Sequence, residues 1–225
     1  MRAQRFSRTL DASFKPPSAI PLDISSILIG FAIVIVALTI HEAAHAWTAD
    51  RLGDPTARLL GRVSLNPLVH IDPIGTILLP LLAIFSGLPI LGWAKPVPVN
   101  VSRLRHHRRD FMIVAAAGPI SNLLQAFVIA GVFRTLYDPS ASDLLPAILK
   151  DAVTTNLVLA FFNLIPIPPL DGGNVLAGLV PESVARVIDQ VRQFGFIALY
   201  ALMLSGLLTE LIMPPTVFFY RLLLL

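Results

Sequence analysis

The apolar run that opens near Ile24 does not stop where its histidines begin. No Gly or Pro interrupts Phe31 to Leu52, and Ile40 passes directly into His41-Glu42-Ala43-Ala44-His45-Ala46-Trp47. One helix over about Asp23 to Arg51 is expected, long enough for a bilayer, which takes roughly 20 residues to cross. Three ionisable side chains within little more than one turn of such a helix need a reason, because each costs about 2.5 kcal/mol or more near mid-bilayer. Positions i and i+4 share a helical face, so the two imidazoles of this H-E-x-x-H can reach one metal ion. Glu42 can then address a water on that ion. A cleaved signal peptide with Ala44-His45-Ala46 as its cleavage site is a rival reading, but its cleavage region would contain Glu42 and two histidines.

Composition agrees with the membrane reading. Of 225 residues, 55% are hydrophobic and 14% charged, against about 25% charged in a typical soluble domain. Mean hydropathy is +0.76. These values exclude disorder, coiled coil and an ordinary soluble enzyme. The net charge of +3 fits basic cytoplasmic loops better than nucleic-acid binding. The chain has no cysteine, so a metal site must use His, Asp or Glu.

The expected fold is an all-α integral membrane protein, a polytopic bundle of about four to six transmembrane helices. Residues 1–22 read as a flexible basic tail, and 23–225 as a single membrane-embedded domain with no room for an appended soluble one. Ile71 to Leu91 is apolar but broken by Pro73, Gly75, Pro80, Gly87 and Pro89. In Gly92-Trp93-Ala94-Lys95-Pro96-Val97-Pro98-Val99-Asn100, prolines alternate with valines, so an extended stretch or edge strand is expected. Further spans are expected over Phe111 to Tyr137, Leu144 to Leu164 and Phe194 to Met213. Pro181 to Gln193 reads as an interfacial helix, and Pro214 to Leu225 has no clear placement.

A catalytic zinc site normally takes three protein ligands and a water. His70, His106 and His107 read as solvated loop histidines. Asp171 is the strongest candidate for the third ligand, because it follows an apolar helix and a proline break, and Gly172-Gly173 permit a tight turn behind it. The alternative is a turn aspartate that caps a helix from Asn174.

Three motifs in this order resemble the site-2 proteases, intramembrane zinc metalloproteases: His41-Glu42-x-x-His45, Ala117-Gly118-Pro119-x-x-Asn122, and Asn163-x-x-Pro166 leading to Leu170-Asp171-Gly172. The likeness runs from about Leu38 to Val180. The stretch from Gly92 to Val99 is similar to the compact branch without PDZ or CBS domains. The resemblance implies one zinc per chain held by His41, His45 and Asp171, with Glu42 as catalytic base. It also implies that Asn122 and Asn163 lie near the substrate strand; an interhelical hydrogen bond is the alternative for both. Val97 and Val99 would offer the extended edge along which an unwound substrate pairs. The expected activity is hydrolysis of peptide bonds within or near transmembrane segments of membrane proteins. A metal-ion transporter or an inactive protease-like scaffold are the competing functions. The expected partners are a transmembrane substrate and the bilayer, with no nucleic acid; the sequence is silent on oligomeric state.

Topology poses a conflict. Arg103 to Arg109 should be cytoplasmic by the positive-inside rule. Asp171 then lies toward the cytoplasm, and the first helix must run inward to bring His41 and His45 to it. That places the basic tail outside, against its charge, and makes Ile71 to Leu91 re-entrant; the alternative is a full span at Ile71 to Leu91 with the tail inside, which would separate the ligands by a good part of a core about 30 Å thick. The expectation is a multi-pass cell-membrane protein whose active site faces the cytoplasmic side.

Overall fold

The structure, a computed structural model, describes residues 24–86, 92–137 and 144–225. The expected tail over 1–22 lies outside these residues. All regular structure in the described residues is helical.

Helix α1 spans Ile24–Arg51. Its 28 residues make a rod of about 42 Å. It stops at Gly53, whose φ of +112° only glycine adopts without strain. The connection that follows includes a helical turn over Thr56–Leu59 and a π-helical stretch over Pro73–Leu78. The Asp72 carboxylate starts the latter, accepting from the amides of Ile74 and Gly75 at 3.0 and 2.7 Å. Helix α2, Leu79–Ser86, continues it. Residues 87–91, the end of the expected re-entrant stretch, lie outside the described residues. The chain returns beside its own outward path: the Trp93 amide donates to the Gly75 carbonyl at 3.1 Å, and the Thr76 hydroxyl donates to the Trp93 carbonyl at 2.8 Å.

The expected edge strand is not formed; residues 92–100 make no ladder. Pro96 and Pro98 remove two of its donors, and its backbone is held instead by the loop beneath it. Lys95 donates to the His70 carbonyl at 2.9 Å. The buried Arg62 guanidinium donates to the carbonyls of Lys95 and Pro96.

Helix α3, His107–Leu136, and helix α4, Leu144–Asn163, complete the centre of the bundle with α1. The His45 ring meets Val114, while Asn122, further along α3, meets Ala37, further back on α1. The two helices are therefore antiparallel. Small residues let them approach: Ala37, Ala46 and Ala49 on α1, and Ala115, Gly118 and Ala126 on α3, are all buried. Close approach of this kind drives helix association where lipid is as apolar as leucine.

After α4, the proline-rich turn at 164–170 leads into helix α5, Asp171–Leu179. Gly172 and Gly173 permit this turn, since a Cβ on either would collide with backbone of residues 164–168. Helix α6, Glu182–Val191, buries Ala185 and exposes Val184, Val187 and Val191. The expected single span from Phe194 to Met213 does not exist. It is cut at Gly206, whose φ of +79° ends a helix. Helix α7, Gly195–Ser205, lies before the cut and helix α8, Leu207–Leu224, after it. The unplaced apolar segment after Pro214 is the second half of α8. Leu208 and Ile212 pack on Ile165 and Leu170, while Leu223 packs with Ala126, Ala130 and Val153. Thus α8 runs antiparallel to α4.

By length and composition, five helical stretches among the described residues can cross a membrane: α1, α3, α4, Glu182–Ser205 and α8.

Candidate metal centre

His41 and His45 face the inside of the bundle and are buried, at 3% and 8% exposure. Their Nε2 atoms lie 3.1 Å apart. The N-terminal residue of α5 meets them from the far end of the chain, with Asp171 Oδ2 at 3.1 Å from His41 Nε2 and 3.3 Å from His45 Nε2. These three residues form a group that could hold a metal ion.

The other ring nitrogens decide which electrons face inward. His45 Nδ1 lies 2.7 Å from the Val114 carbonyl oxygen, which can only accept. His41 Nδ1 lies 2.6 Å from Asn122 Oδ1. Each Nδ1 is thus a donor, and each Nε2 is left with a lone pair, the arrangement of a metal-ligating histidine. Asp171 Oδ2 is buried with no hydrogen-bond partner. Two lone pairs and a carboxylate oxygen at such distances repel one another unless a cation sits among them. A single proton can bridge one pair; a divalent ion satisfies all three.

Space agrees with charge. A Cβ at position 118 would meet His45 Nε2 and the Nε2 and Cε1 atoms of His41. Gly118 therefore keeps open the volume into which both imidazoles point. The donor set of two imidazoles and a carboxylate is one that zinc accepts, and the residues fit the ion.

Glu42 is half-buried and lies within electrostatic reach of His45 and of Arg62. Asn122 is fully buried, and its Nδ2 donates to Asn156 Oδ1 at 2.9 Å. Asn163 is half-buried and donates to the Leu159 carbonyl of its own helix at 3.0 Å. Val99 packs beside Ala49, Leu104 and Val114, and Val97 is half-buried.

His106 and His107 are exposed, as expected, but His70 is not solvated. It is 2% exposed and its Nε2 donates to the Ser64 carbonyl at 2.8 Å. Its place in a loop disguised a histidine that closes that loop. Gly118, Arg62 and Asn156 are further residues whose places the sequence did not reveal. Asn156 carried a signal, as an amide in the middle of an apolar helix.

Five apolar helical stretches and a buried His, His, Asp group make this a multi-pass membrane protein with a candidate zinc site. The pattern of Peptidase family M50 matches residues 130–206, a region that contains Asp171. YwhC of Bacillus subtilis strain 168, named as a candidate zinc metalloprotease, is 38% identical over 189 residues, which are 80% of this chain and 82% of that protein. Rip2 of Mycolicibacterium smegmatis, named likewise, is 32% identical over 181 residues, 78% of this chain and 66% of its own length. Rip2 of Mycobacterium tuberculosis strain H37Rv is 34% identical over 174 residues, 76% of this chain and 64% of its own. No solved structure matches. The chain belongs to Peptidase family M50 and is a zinc metalloprotease.

Proposed function

We propose that this chain is an intramembrane endopeptidase that cleaves membrane proteins within or near their transmembrane segments. The observation that carries this reading is the depth of the ligand group. His45 lies six residues before the end of α1, about 9 Å of helix rise, so the group sits inside a segment apolar enough to span the bilayer. Hydrolysis at that depth suits a peptide bond that is itself in or near the membrane.

In this reading His41, His45 and Asp171 hold the zinc, and Glu42 takes the proton of the attacking water and passes it to the leaving amine. Zinc, when bound, lowers the pKa of its water toward 7 and polarises the scissile carbonyl. The Nδ1 bonds to Asn122 and Val114 aim the imidazoles. Gly118 leaves room for the ion. The substrate helix must unwind before its carbonyl is accessible, and the stretch from Trp93 to Asn100, with Val97 and Val99, offers an extended partner for it. In this reading Asn163 and Asn122 lie near the substrate strand, as the family resemblance implies.

The basic run from Arg103 to Arg109 at the start of α3 supports a cytoplasmic site, and the return of Trp93 to Gly75 supports a re-entrant 71–91 stretch. Cysteines placed singly at Thr56 and Ser102 test this, since the chain has no other. Both should resist an impermeant thiol reagent in intact cells and react after lysis. Labelling of Thr56→Cys from outside, with Ser102→Cys protected, would mean that 71–91 crosses the bilayer. The activity itself is tested by metal analysis of the purified protein together with cleavage of a membrane-spanning substrate. Zinc binding without cleavage of that substrate would mean that the scissile bond does not lie in or near a transmembrane segment.

A further inference from the structure

The two imidazoles are anchored unequally. His45 Nδ1 rests directly on a backbone carbonyl, that of Val114. His41 Nδ1 rests on a side-chain amide, that of Asn122. An amide has an accepting end and a donating end of nearly the same shape. If Asn122 turned its NH2 toward His41, Nδ1 would have to accept, the ring proton would move to Nε2, and the inward lone pair would be lost.

What holds Asn122 the right way round is the next residue along. Asn156 sits on α4 at 2% exposure. Its Nδ2 donates to the Ala152 carbonyl at 2.9 Å, an atom that can only accept, so the orientation of Asn156 is set by its own helix. Its Oδ1 is therefore the end that faces Asn122 Nδ2, at 2.9 Å. Asn122 must then present Oδ1 to His41. The Ala37 carbonyl, 3.4 Å from the same Nδ2, adds a longer contact of the same sense. A polarity that starts at one backbone carbonyl on α4 is transmitted through two buried amides to a ring on α1.

We propose that Asn156 is a positioning residue for the metal site, holding His41 through Asn122 in the tautomer whose Nε2 binds the ion. The proposal rests on the metal reading above. It touches neither substrate nor reacting atoms, so its signature is metal affinity.

The test titrates zinc into the metal-free full chain in detergent against a chelating dye, with apo-protein melting recorded alongside. Removal of a residue that orients a ligand typically costs 10- to 100-fold in metal affinity. Asn156→Leu, similar in volume but without an acceptor, is expected to weaken zinc binding about tenfold, the low end of that range. Asn156→Asp keeps the acceptor and should stay within about threefold. If the leucine variant fails to fold, Asn156→Ala carries the same expectation.

A second background separates polarity from packing. In Asn122→Asp either carboxylate oxygen accepts from His41, so the tautomer no longer depends on Asn156. There Asn156→Leu should cost less than about twofold, a departure from additivity that a shared network predicts. An equal loss in both backgrounds would mean that Asn156 acts by packing alone, and the proposal falls. Unchanged affinity in Asn156→Leu overturns it as well. His41→Ala separates the two readings: if it loses zinc while Asn156→Leu does not, only the relay is wrong. If His41→Ala binds like the parent, the metal reading has failed and the relay with it.

Discussion

The ligand group is held by helices that meet through alanines and glycines, whereas the connection over 54–100 is held by side chains that reach backbone atoms. On the first side, α1 and α3 approach closely enough for His45 to touch the Val114 carbonyl and for Gly118 to face both rings. On the second, the buried Asp54 accepts from the Thr56 amide and hydroxyl and, at 2.6 Å, from the Asn100 amide. Arg62 reaches the carbonyls of Lys95 and Pro96, and Thr76 that of Trp93. The difference is one of solvent and backbone. Inside helices the backbone satisfies itself, so only close packing is left to specify where ligands stand. In the connection the backbone needs partners, and charged side chains supply them at the cost of their own burial. Disturbing the first side should therefore affect the metal; disturbing the second should spare the metal and affect cleavage.

The largest expected effect is on the ligands. His41→Ala, His45→Ala and Asp171→Ala should each lose most bound zinc and all measurable cleavage, read by metal analysis and a substrate assay. Full zinc in Asp171→Ala would remove it from the ligand set. Glu42→Gln should keep zinc and lose cleavage by roughly 10²- to 10⁴-fold, the range of general base catalysis. Normal turnover by this variant would take Glu42 out of the mechanism.

Gly118→Ala comes next, because a single methyl would enter the space between the two rings. Zinc affinity should drop at least tenfold, and the crowding should destabilise the fold by about 1–3 kcal/mol. Unchanged affinity would mean that the helices can part without harm to the site, and the contrast between rigid and tied sides would fail.

On the second side Arg62→Ala frees the carbonyls of Lys95 and Pro96. A hydrogen bond to a charged group contributes about 1.5–3 kcal/mol, so kcat/KM should fall about tenfold or more with zinc unchanged. Loss of zinc in Arg62→Ala would show that the two sides are not separable. The smallest effect on cleavage is expected for Asp54→Asn. It keeps one accepting oxygen but turns an NH2 toward a backbone N–H, costing about 1.5–3 kcal/mol of stability, measurable as a lowered melting temperature.

The contrast also explains what could be read from the sequence. The spans over α1, α3 and α4 were legible because apolar runs without breakers say helix regardless of their neighbours. Spacing alone put His41, Glu42 and His45 together, and the proline and glycine pattern around Asp171 marked the residue that closes the group. Gly118 was visible only as part of a motif, since its role depends on where α3 crosses α1. The relay through Asn156 was hidden for the same reason: it involves three helices. His70 was misread because a histidine in a loop looks solvated, whereas in the fold its ring reaches the Ser64 carbonyl and its own carbonyl accepts from Lys95. The break at Gly206 was missed because glycine within an apolar run is common in membrane helices, and only its positive φ makes it a stop.

The order of the ligands along the chain has a consequence for how the protein is made. His41 and His45 emerge together on the first helix, but Asp171 belongs to the last third of the sequence. At synthesis rates of about 5–20 residues per second, the carboxylate leaves the ribosome roughly 6–25 s after His45. It can reach the histidines only once α3 and α4 are inserted and paired with α1. A newborn chain thus carries two of the three residues of the candidate metal group through most of its translation without a complete site. The site is complete only after its own bundle has closed.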